Sequence, residues 1–410
     1  MCSETAAGET DAAAGTGIDA KLRLARLQLT DFRNYAALTW CPGARISALF
    51  GPNGSGKTNL LEAVSLLVPG RGLRSARTVD MARLGPGASG RWAVAGRLAT
   101  AGGPVLIETG ILPEGPPDRR VVRIDGSAPR SQSEIAARVA AVWLTPQMDR
   151  LFQEPASGRR RFLDRLVWAL EPAHAREIAA HDAAMSGRNR LLATNVADLA
   201  WLAGLEDTMA RHAVAATAAR MSLVTRLGRA LAAGVVDGFP PVRIALECRI
   251  ASRLASEPAI EVEEWLRHEL AARRLPDKAA GSAGVGAHRC DMVLTDLAGM
   301  PAGQASTGEQ KAMLLTVILG HAGLIAEARG FAPLLLLDEP AVHLDPSRRR
   351  ALFAALERLP AQVLLTGTDP ETFLPLADRA EGLRAGDGRL VGDRRFSPRS
   401  SDSAPVARSL

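Results

Sequence analysis

The strongest constraint on the fold is a glycine-rich segment, "GPNGSGKT", at residues 51–58. It fits the pattern G-x-x-x-x-G-K-[ST], follows the apolar run "RISALFG", and precedes "NLLEAVSLLV", whose apolar residues have helical spacing. A buried strand, a glycine-rich turn and a helix in this order predict an α/β domain with a phosphate-binding loop. Backbone N–H groups of the loop and the positive end of the helix dipole would face the phosphates.

The two residues that end this loop carry the chemistry. We expect Lys57 to reach the β- and γ-phosphates of a nucleotide and Thr58 to offer its hydroxyl to Mg²⁺. A glycine-rich turn without a ligand is the plain alternative, but one of only four lysines in the chain stands here. The predicted nucleotide-binding residues are Gly51, Pro52, Asn53, Gly54, Ser55, Gly56, Lys57, Thr58 and Asn59.

A second segment, "LLLLDEP" at residues 334–340, ends an apolar strand on two carboxylates. Carboxylates at the end of a buried strand are costly unless they bind something. We expect Asp338 to hold Mg²⁺ together with Thr58, and Glu339 to act as general base on the attacking water. Two exposed turn acids before a proline are the alternative. With Lys57, these two acids form the predicted catalytic set for hydrolysis of a nucleoside triphosphate.

Composition narrows the class of protein. The 410 residues are 47% hydrophobic and 23% charged, which is typical of a globular chain with a substantial core. No apolar stretch approaches the roughly 18 residues of a membrane span, and the first twenty residues lack the features of a signal peptide, so we expect a cytoplasmic location. The four cysteines are scattered without a C-x-x-C pair, and this predicts ordinary thiols.

Patterns along the chain predict an α/β domain that is split by a helical insertion. Alternating strands in 91–130 precede a long helical region, and strand–helix alternation returns after residue 306. We expect a disordered tail at 1–20, the N-terminal part of the α/β domain at 21–150, a helical arm or lid at 151–280, the C-terminal part at 281–394 and a second disordered tail at 395–410. Residues 277–287, "DKAAGSAGVGA", are predicted to be a flexible connector.

A third segment, "STGEQK" at residues 306–311, begins a predicted helix with the capping-box spacing S-x-x-E. Together with "GPNGSGKT" and "LLLLDEPAVHLD", in this order, it resembles the ABC ATPase superfamily. The resemblance implies an ABC-type ATPase head, a mixed sheet with an antiparallel β subdomain, into which the helical arm is inserted. It also implies that ATP is held between two subunits, with Ser306, Thr307, Gly308 and Glu309 meeting the ATP of the partner subunit.

Three further positions follow from the same resemblance. Asp345 in "HLD" is similar to the D-loop residue near the dimer seam of these ATPases. Thr368, after the strand "QVLLTG", stands at the position of the γ-phosphate switch residue. Gln147 in "LTPQMD" stands where a Q-loop would connect head and arm, and a glutamine in a surface turn is an equally good interpretation.

Four segments narrow the resemblance to the RecF family of bacterial recombination-repair proteins. They are "LRLARLQLTDFRNY", "PASGRRRFLD", "GAHRCDM" and "STGEQKAML", and they occur in family order within roughly residues 22–395. One departure is Ala287, where the family typically has proline. The family implies a weak ATPase that dimerises on ATP, binds duplex DNA near single-strand gaps and cooperates with RecR and RecO in loading RecA, with roles in recombination, replication and the SOS response.

Two arginine clusters are candidate DNA contacts, because arginine suits the phosphate contacts that dominate non-specific duplex affinity. The net charge of +6 is compatible with a polyanionic partner. Clusters in an arginine-rich chain are also often solvated or ion-paired. The candidates are Arg71, Arg74, Arg77, Arg159, Arg160 and Arg161.

Three other classes of protein remain as alternatives. An ABC transporter ATPase subunit lacks "TDFRNY", usually has Gln at the position of Glu309, and does not separate its phosphate loop from its signature segment by more than 200 residues. An SMC-like clamp would need long heptad runs, which are not sustained here. A metabolic kinase would leave "STGEQK" unexplained.

Overall fold

The structure is a computed structural model that describes residues 22–116, 118–194, 198–234 and 237–398. The chain forms two compact units. The first unit combines residues up to Pro146 with those from Ile325 onwards, and the second is Gln147–Leu324. The predicted tail 1–20 and residues 399–410 of the predicted C-terminal tail lie outside the described residues.

The first unit contains a mostly parallel sheet of strand order β13–β12–β3–β11–β10–β7. Its strands are β3 (Ile46–Phe50), β7 (Ala141–Leu144), β10 (Leu334–Leu337), β11 (Val363–Gly367), β12 (Ala380–Gly386) and β13 (Arg389–Gly392). Helices α1 (Lys57–Ser65), α2 (Gln132–Arg138) and α10 (Pro346–Arg358) belong to the same unit.

The central strands of this sheet are apolar throughout because both of their faces are buried. The four leucines of β10 are fully buried, and so are the residues of β3. β11 lies between β3 and β10 and runs parallel to both. The carboxyl ends of these three strands therefore meet at one edge of the sheet, where the phosphate loop and the "DE" segment follow.

A second, antiparallel sheet of order β2–β1–β4–β5–β6 completes the first unit. Its strands are β1 (Arg23–Phe32), β2 (Tyr35–Trp40), β4 (Ala93–Thr100), β5 (Gly103–Gly110) and β6 (Val121–Ile124). Buried and exposed residues alternate along β1 and β4, as the sequence pattern predicted for a half-buried sheet. The fold class is thus the predicted α/β head with a mixed sheet and an antiparallel β subdomain.

The second unit is mainly helical. Its elements are α3 (Ala156–Leu170), α4 (His174–Ala193), α5 (Leu199–Ala232), β8 (Val242–Glu247), α6 (Arg249–Leu254), α7 (Ala259–Ala272), α8 (Arg274–Ala280), β9 (Asp291–Asp296) and most of α9 (Thr307–Arg329). Strands β8 and β9 pair antiparallel. A core cluster joins α5, α7 and the segment around Ala283 and Val285.

The structure groups the residues after 280 differently from the predicted domain division. Residues 281–324 belong to the compact helical unit, because β9 pairs with β8 and Val285 packs into its core. Residues 277–287 are also not a flexible connector. Asp277 lies in α8, is only 2% exposed, and accepts a hydrogen bond from the backbone N–H of Gly284.

The prediction of ordinary thiols is wrong, because none of the cysteines within residues 22–398 is a free thiol. Cys248 and Cys290 form a disulfide, which the sequence did not indicate because 42 positions separate them. They are brought together by the pairing of β8 with β9, since Cys248 directly follows β8 and Cys290 directly precedes β9.

Two other expectations about segments are refined. The predicted C-terminal tail from 395 begins too early, because Phe396 is buried and its ring lies 5.6 Å from that of Phe50.

Helix α9 is long and apolar enough to cross a membrane by length and composition. However, 78% of its most apolar window is buried inside the protein, as in the core helix of a soluble fold.

Candidate nucleotide-binding site

The phosphate loop connects β3 to α1, as the sequence predicted. Gly56 adopts φ 103°, and a Cβ at this position would lie 2.3 Å from Nδ2 of Asn34. Gly51 is similarly restricted, because a Cβ there would lie 2.5 Å from the carbonyl oxygen of Ala385. The glycines are therefore required both by backbone conformation and by close neighbours.

Lys57 is almost fully buried and points back into the loop. Its Nζ donates to the carbonyl oxygens of Gly51 at 2.7 Å and of Pro52 at 2.9 Å. Burial lowers the pKa of Lys57, while the charges of Glu339 and Asp338 act in the opposite direction. The loop thus holds a cationic group beside the two carboxylates that the sequence assigned to catalysis.

Asp338 joins the two motifs, although 280 positions separate it from Thr58. Its Oδ1 accepts hydrogen bonds from Oγ1 of Thr58 at 2.9 Å and from Oγ1 of Thr366 at 2.7 Å. The side chain is buried and, within the described part of the chain, forms no ion pair of its own. A buried carboxylate next to a hydroxyl is an oxygen donor set of the kind that Mg²⁺ prefers.

Glu339 has a left-handed backbone, with φ 50°. This conformation is unfavourable for a residue other than glycine and is found preferentially at functional sites. Its backbone N–H donates to Oγ1 of Thr366 at 2.9 Å. A pocket of about 210 Å³ is lined by seven of the residues predicted for nucleotide binding and catalysis and also by Arg74. Its lining residues are Asn53, Gly54, Gly56, Lys57, Thr58, Asn59, Arg74 and Glu339.

Residues that the sequence analysis did not assign to the site support the loop from the β1–β2 turn. Asn34 donates to the carbonyl oxygen of Ser55 and accepts from the side chain of Asn59. The Tyr35 hydroxyl donates to the carbonyl oxygen of Gly56 at 3.1 Å. The polar "RNY" turn directly after an amphipathic strand is the sequence feature that could have indicated this support of the loop.

Arg74 lines the pocket and is exposed to solvent. It donates to Oδ1 of Asn59 at 2.7 Å and lies 3.4 Å from the buried carboxylate of Glu62, which also binds Arg33 at 2.8 Å. Of its two predicted companions, Arg77 pairs with Asp80 and Arg71 is exposed.

The arginines at the start of α3 are mostly engaged within the helical unit. Arg159 forms a bidentate pair with Asp291, and Arg160 donates to the carbonyl oxygen of Cys290. Arg161 is exposed. The contacts of Arg159 and Arg160 favour the ion-paired interpretation of this cluster over the DNA-contact interpretation.

The signature segment forms the predicted capping box at the start of α9. The backbone N–H of Ser306 donates to Oε2 of Glu309 at 2.9 Å, and the N–H of Glu309 lies 3.4 Å from Oγ of Ser306. Ser306 and Thr307 are exposed. The helix N-terminus is therefore ordered locally and remains accessible to a ligand.

The three remaining predicted positions, Asp345, Thr368 and Gln147, do not line this pocket. Asp345 caps α10 by accepting from the backbone N–H groups of Ser347 and Arg348, and the hydrogen bond from Arg348 contributes most to lowering the pKa of its carboxyl. Thr368 is exposed one residue after β11, and Gln147 is the exposed first residue of the helical unit.

Known proteins similar to this chain include curated relatives over nearly its full length. It is 46% identical to the DNA replication and repair protein RecF of Mesorhizobium japonicum, over 90% of this chain and 98% of that protein. It is 42% identical to the protein of the same name from Rhizobium etli, over 91% of this chain and 99% of that protein. The chain belongs to the RecF family.

Structural relatives agree with this RecF membership. A solved structure described as the recombination mediator protein RecF-ATPrS in the RecFOR pathway matches with a TM-score of 0.79 and 22% identity, over 91% of this chain and 99% of that one. An SMC head domain from Pyrococcus furiosus, solved with the C-terminal domain of ScpA, matches with a TM-score of 0.51 and 15% identity, over 91% and 96%. These likenesses show the ABC ATPase fold.

A family model described as "AAA domain, putative AbiEii toxin, Type IV TA system" matches residues 248–367. This range includes the signature segment and the "DE" segment. The RecF relatives make this chain a DNA replication and repair protein, and they do not favour the transporter alternative.

Proposed function

We propose that this RecF-family chain binds ATP with Mg²⁺ at the loop Gly51–Asn59 and hydrolyses it weakly, with Lys57, Asp338 and Glu339 as catalytic residues. The observation that carries the proposal is the hydrogen bond of 2.9 Å between Thr58 and Asp338, because it joins the phosphate loop to the carboxylate segment. Thr58 and Asp338 would hold the magnesium ion, which would neutralise developing charge on the phosphates.

The roles of the other pocket residues follow from their positions. Lys57 exchanges its loop carbonyls for phosphate oxygens, since both are oxygen acceptors within reach of one ammonium group. Glu339 orients and deprotonates the attacking water. Arg74, which Glu62 and Asn59 hold at the pocket mouth, contacts the nucleotide rather than DNA.

The exposed signature segment supports ATP-dependent dimerisation. Ser306, Thr307, Gly308 and Glu309 stand at the N-terminus of α9, which is a suitable place for an anion. In the proposed dimer they meet the γ-phosphate that the partner subunit binds. Asp345 lies near the seam, Thr368 acts as the switch, and Gln147 connects the ATPase head with the arm. Hydrolysis then separates the dimer and releases DNA.

The relatives support a nucleic-acid partner. A matching structure is described as a recombination mediator in the RecFOR pathway. We propose that this chain binds duplex DNA near single-strand gaps and acts with RecR and RecO to help to load RecA, in the cytoplasm at the nucleoid. Among the predicted arginines, the exposed Arg71 and Arg161 are the better candidates for phosphate contacts, since Arg159 and Arg160 are engaged internally.

Sedimentation velocity tests the proposal directly. Wild-type protein with ATP, Mg²⁺ and duplex DNA at physiological salt should sediment as a dimer, and Lys57→Ala should remain monomeric because it cannot hold the phosphates. Glu339→Gln should keep the dimer for longer than wild type. A wild-type protein that stays monomeric with ATP and DNA contradicts the proposed dimer.

A further inference from the structure

Thr366 is the penultimate residue of β11. This strand lies between β3, which leads to the phosphate loop, and β10, which leads to Asp338. It pairs with Leu49 of β3, and the preceding Leu365 pairs with Leu337 of β10. Its side chain is fully buried. A hydroxyl in a strand of leucines and valines must form hydrogen bonds, because an unpaired buried hydroxyl is costly.

The direction of these hydrogen bonds is fixed by chemistry. An ionised carboxylate only accepts, so the single hydroxyl proton of Thr366 is donated to Oδ1 of Asp338 at 2.7 Å. The oxygen lone pairs are left to accept the backbone N–H of Glu339 at 2.9 Å. One side chain therefore holds the carboxylate of one catalytic residue and the backbone of the next.

The two hydrogen bonds of Thr366 stabilise the backbone of Glu339 and the orientation of the Asp338 carboxylate, and both of these need support from other residues. Glu339 has a left-handed backbone, which persists only where the surroundings impose it. Oδ1 of Asp338 has a second donor in Thr58, but Thr58 is also a proposed ligand of the magnesium ion. Thr366 is the donor to Asp338 that has no such second role.

We propose that Thr366 is the positioning residue for hydrolysis: it orients the Asp338 carboxylate toward the metal and fixes the backbone from which Glu339 reaches the water. The inference rests on the proposed ATPase function. This role is separate from that of Thr368, the proposed switch residue, which is exposed two positions later. Thr366 touches neither substrate nor metal and acts through its two neighbours.

Three variants test this role. Thr366→Val keeps the size and β-branching but removes both hydrogen bonds, whereas Thr366→Ser keeps the hydroxyl. Thr217→Val is the matched control, because Thr217 is equally buried but belongs to the helical unit. Each variant is assayed as the full chain for kcat and KM of ATP hydrolysis, for affinity for a fluorescent ATP analogue with and without Mg²⁺, and for thermal unfolding.

We expect Thr366→Val to lose about 10–100-fold in kcat, as is typical when the partner of a metal ligand is removed. Affinity for the analogue without Mg²⁺ should change by less than about threefold, and the gain on adding Mg²⁺ should shrink, because only Asp338 is disturbed. Thr366→Ser should recover most of kcat and the Mg²⁺ effect, and Thr217→Val should match wild type in both.

Two results overturn the inference. The first is a folded Thr366→Val protein with wild-type kcat and a wild-type Mg²⁺ effect. The second, which applies even if Thr366→Val does not fold, is a folded Thr366→Ser protein that loses kcat by more than about tenfold, since it retains the hydroxyl. Failure of the proposed function has a different result: wild type and Lys57→Ala would then show equal, background hydrolysis.

Discussion

The two compact units bury their polar side chains in different ways. In the first unit, the buried Lys57 lines a pocket, and the buried Asp338 accepts hydrogen bonds from the pocket residue Thr58 and from the buried Thr366. In the helical unit, the buried Arg188 donates to Glu206, Asp277 and the carbonyl oxygen of Leu270, and Arg274 completes the cluster. One set of polar groups includes a residue that lines space for a ligand, and the other is satisfied by neighbours of the same unit.

This difference distinguishes polar side chains that are buried for ligand binding from polar side chains that are buried for stability. A buried charge without a paired partner is unfavourable, and a ligand that supplies the missing charge recovers this free energy on binding. A buried charge within a satisfied network instead makes folding depend on every member of that network. Substitutions in the first set should therefore affect nucleotide handling, and substitutions in the second should affect stability.

The largest expected effect is on hydrolysis. Glu339→Gln removes the proposed general base but preserves side-chain size, so we expect the rate of ATP hydrolysis to fall by about 10²–10⁴-fold. The free energy of unfolding should change little, because Glu339 is only partly buried and the substitution keeps the size of its side chain. Phosphate release under saturating ATP measures the rate, and urea unfolding of the same sample measures stability. A variant that hydrolyses ATP normally would remove Glu339 from the catalytic set.

The matching substitution in the helical unit is Arg188→Met. It leaves Glu206 and Asp277 partly uncompensated in the interior, so we expect a loss of about 3–5 kcal/mol in unfolding free energy. Urea unfolding followed by circular dichroism measures it. The exposed pair Arg211–Asp207 provides the control, since Arg211→Met should cost less than about 1 kcal/mol. Equal stabilities of the two variants would contradict the structural role of the cluster.

Acid should destabilise the helical unit through His321. Burial, reinforced by the charges of Arg165 and Arg226, lowers the pKa of His321 to about 3 from 6.5. Below pH 6.5 the unfolded chain binds a proton that the folded chain does not, so this contribution is intact above pH 6.5 and is lost as pH falls toward 3. The slope is about 1.4 kcal/mol per pH unit.

His321→Leu removes the proton binding and should flatten this dependence. Urea midpoints measured from pH 7 to pH 5 compare the variant with wild type. Six of the seven histidines lie in the helical unit, and His288, whose pKa burial lowers to about 4, should leave a residual slope. Parallel curves for the variant and wild type would exclude His321 as a source of the acid sensitivity.

The smallest expected effect separates two neighbouring arginines. Arg74→Ala should weaken ATP binding by about tenfold, as expected for loss of one charge-assisted hydrogen bond. Arg77→Ala should leave ATP binding unchanged, because Arg77 pairs with Asp80 and does not line the pocket. Titration with a fluorescent ATP analogue measures both. Equal effects of the two substitutions would return Arg74 to the group of candidate DNA contacts.

Local features of the fold and site could be predicted from the sequence. The phosphate loop and the start of α9 depend on residues within a few positions of one another, and the apolar runs of β3, β10 and β11 indicate a buried parallel sheet. The features that the sequence did not provide depend on distant partners. Thr366 becomes a site residue only because β11 lies beside β10, and the disulfide between Cys248 and Cys290 forms only because β8 pairs with β9.

The division of the chain shows the same limit. Residues 281–287 are small residues and glycines with one valine, a composition typical of a loop, so the burial of Ala283, Val285 and Ala287 in the helical unit depends on packing partners elsewhere in the chain. The contacts of Arg74 likewise could not be predicted from the residues next to it in the sequence. Its partner Glu62 is buried, and a carboxylate within the apolar face of α1 was the only indication of a nearby cation.

The central claim is that one chain contains only part of its nucleotide site. Mixing two inactive variants, Lys57→Ala and Ser306→Arg, tests it most directly. Each mixed dimer would unite the intact phosphate loop of the Ser306→Arg chain with the intact signature segment of the Lys57→Ala chain. We predict that the mixture regains ATP hydrolysis, at no more than about half of the wild-type rate per chain, since each mixed dimer holds only one complete site of two. A mixture as inactive as its two components, or a Ser306→Arg protein with wild-type hydrolysis, would contradict the claim.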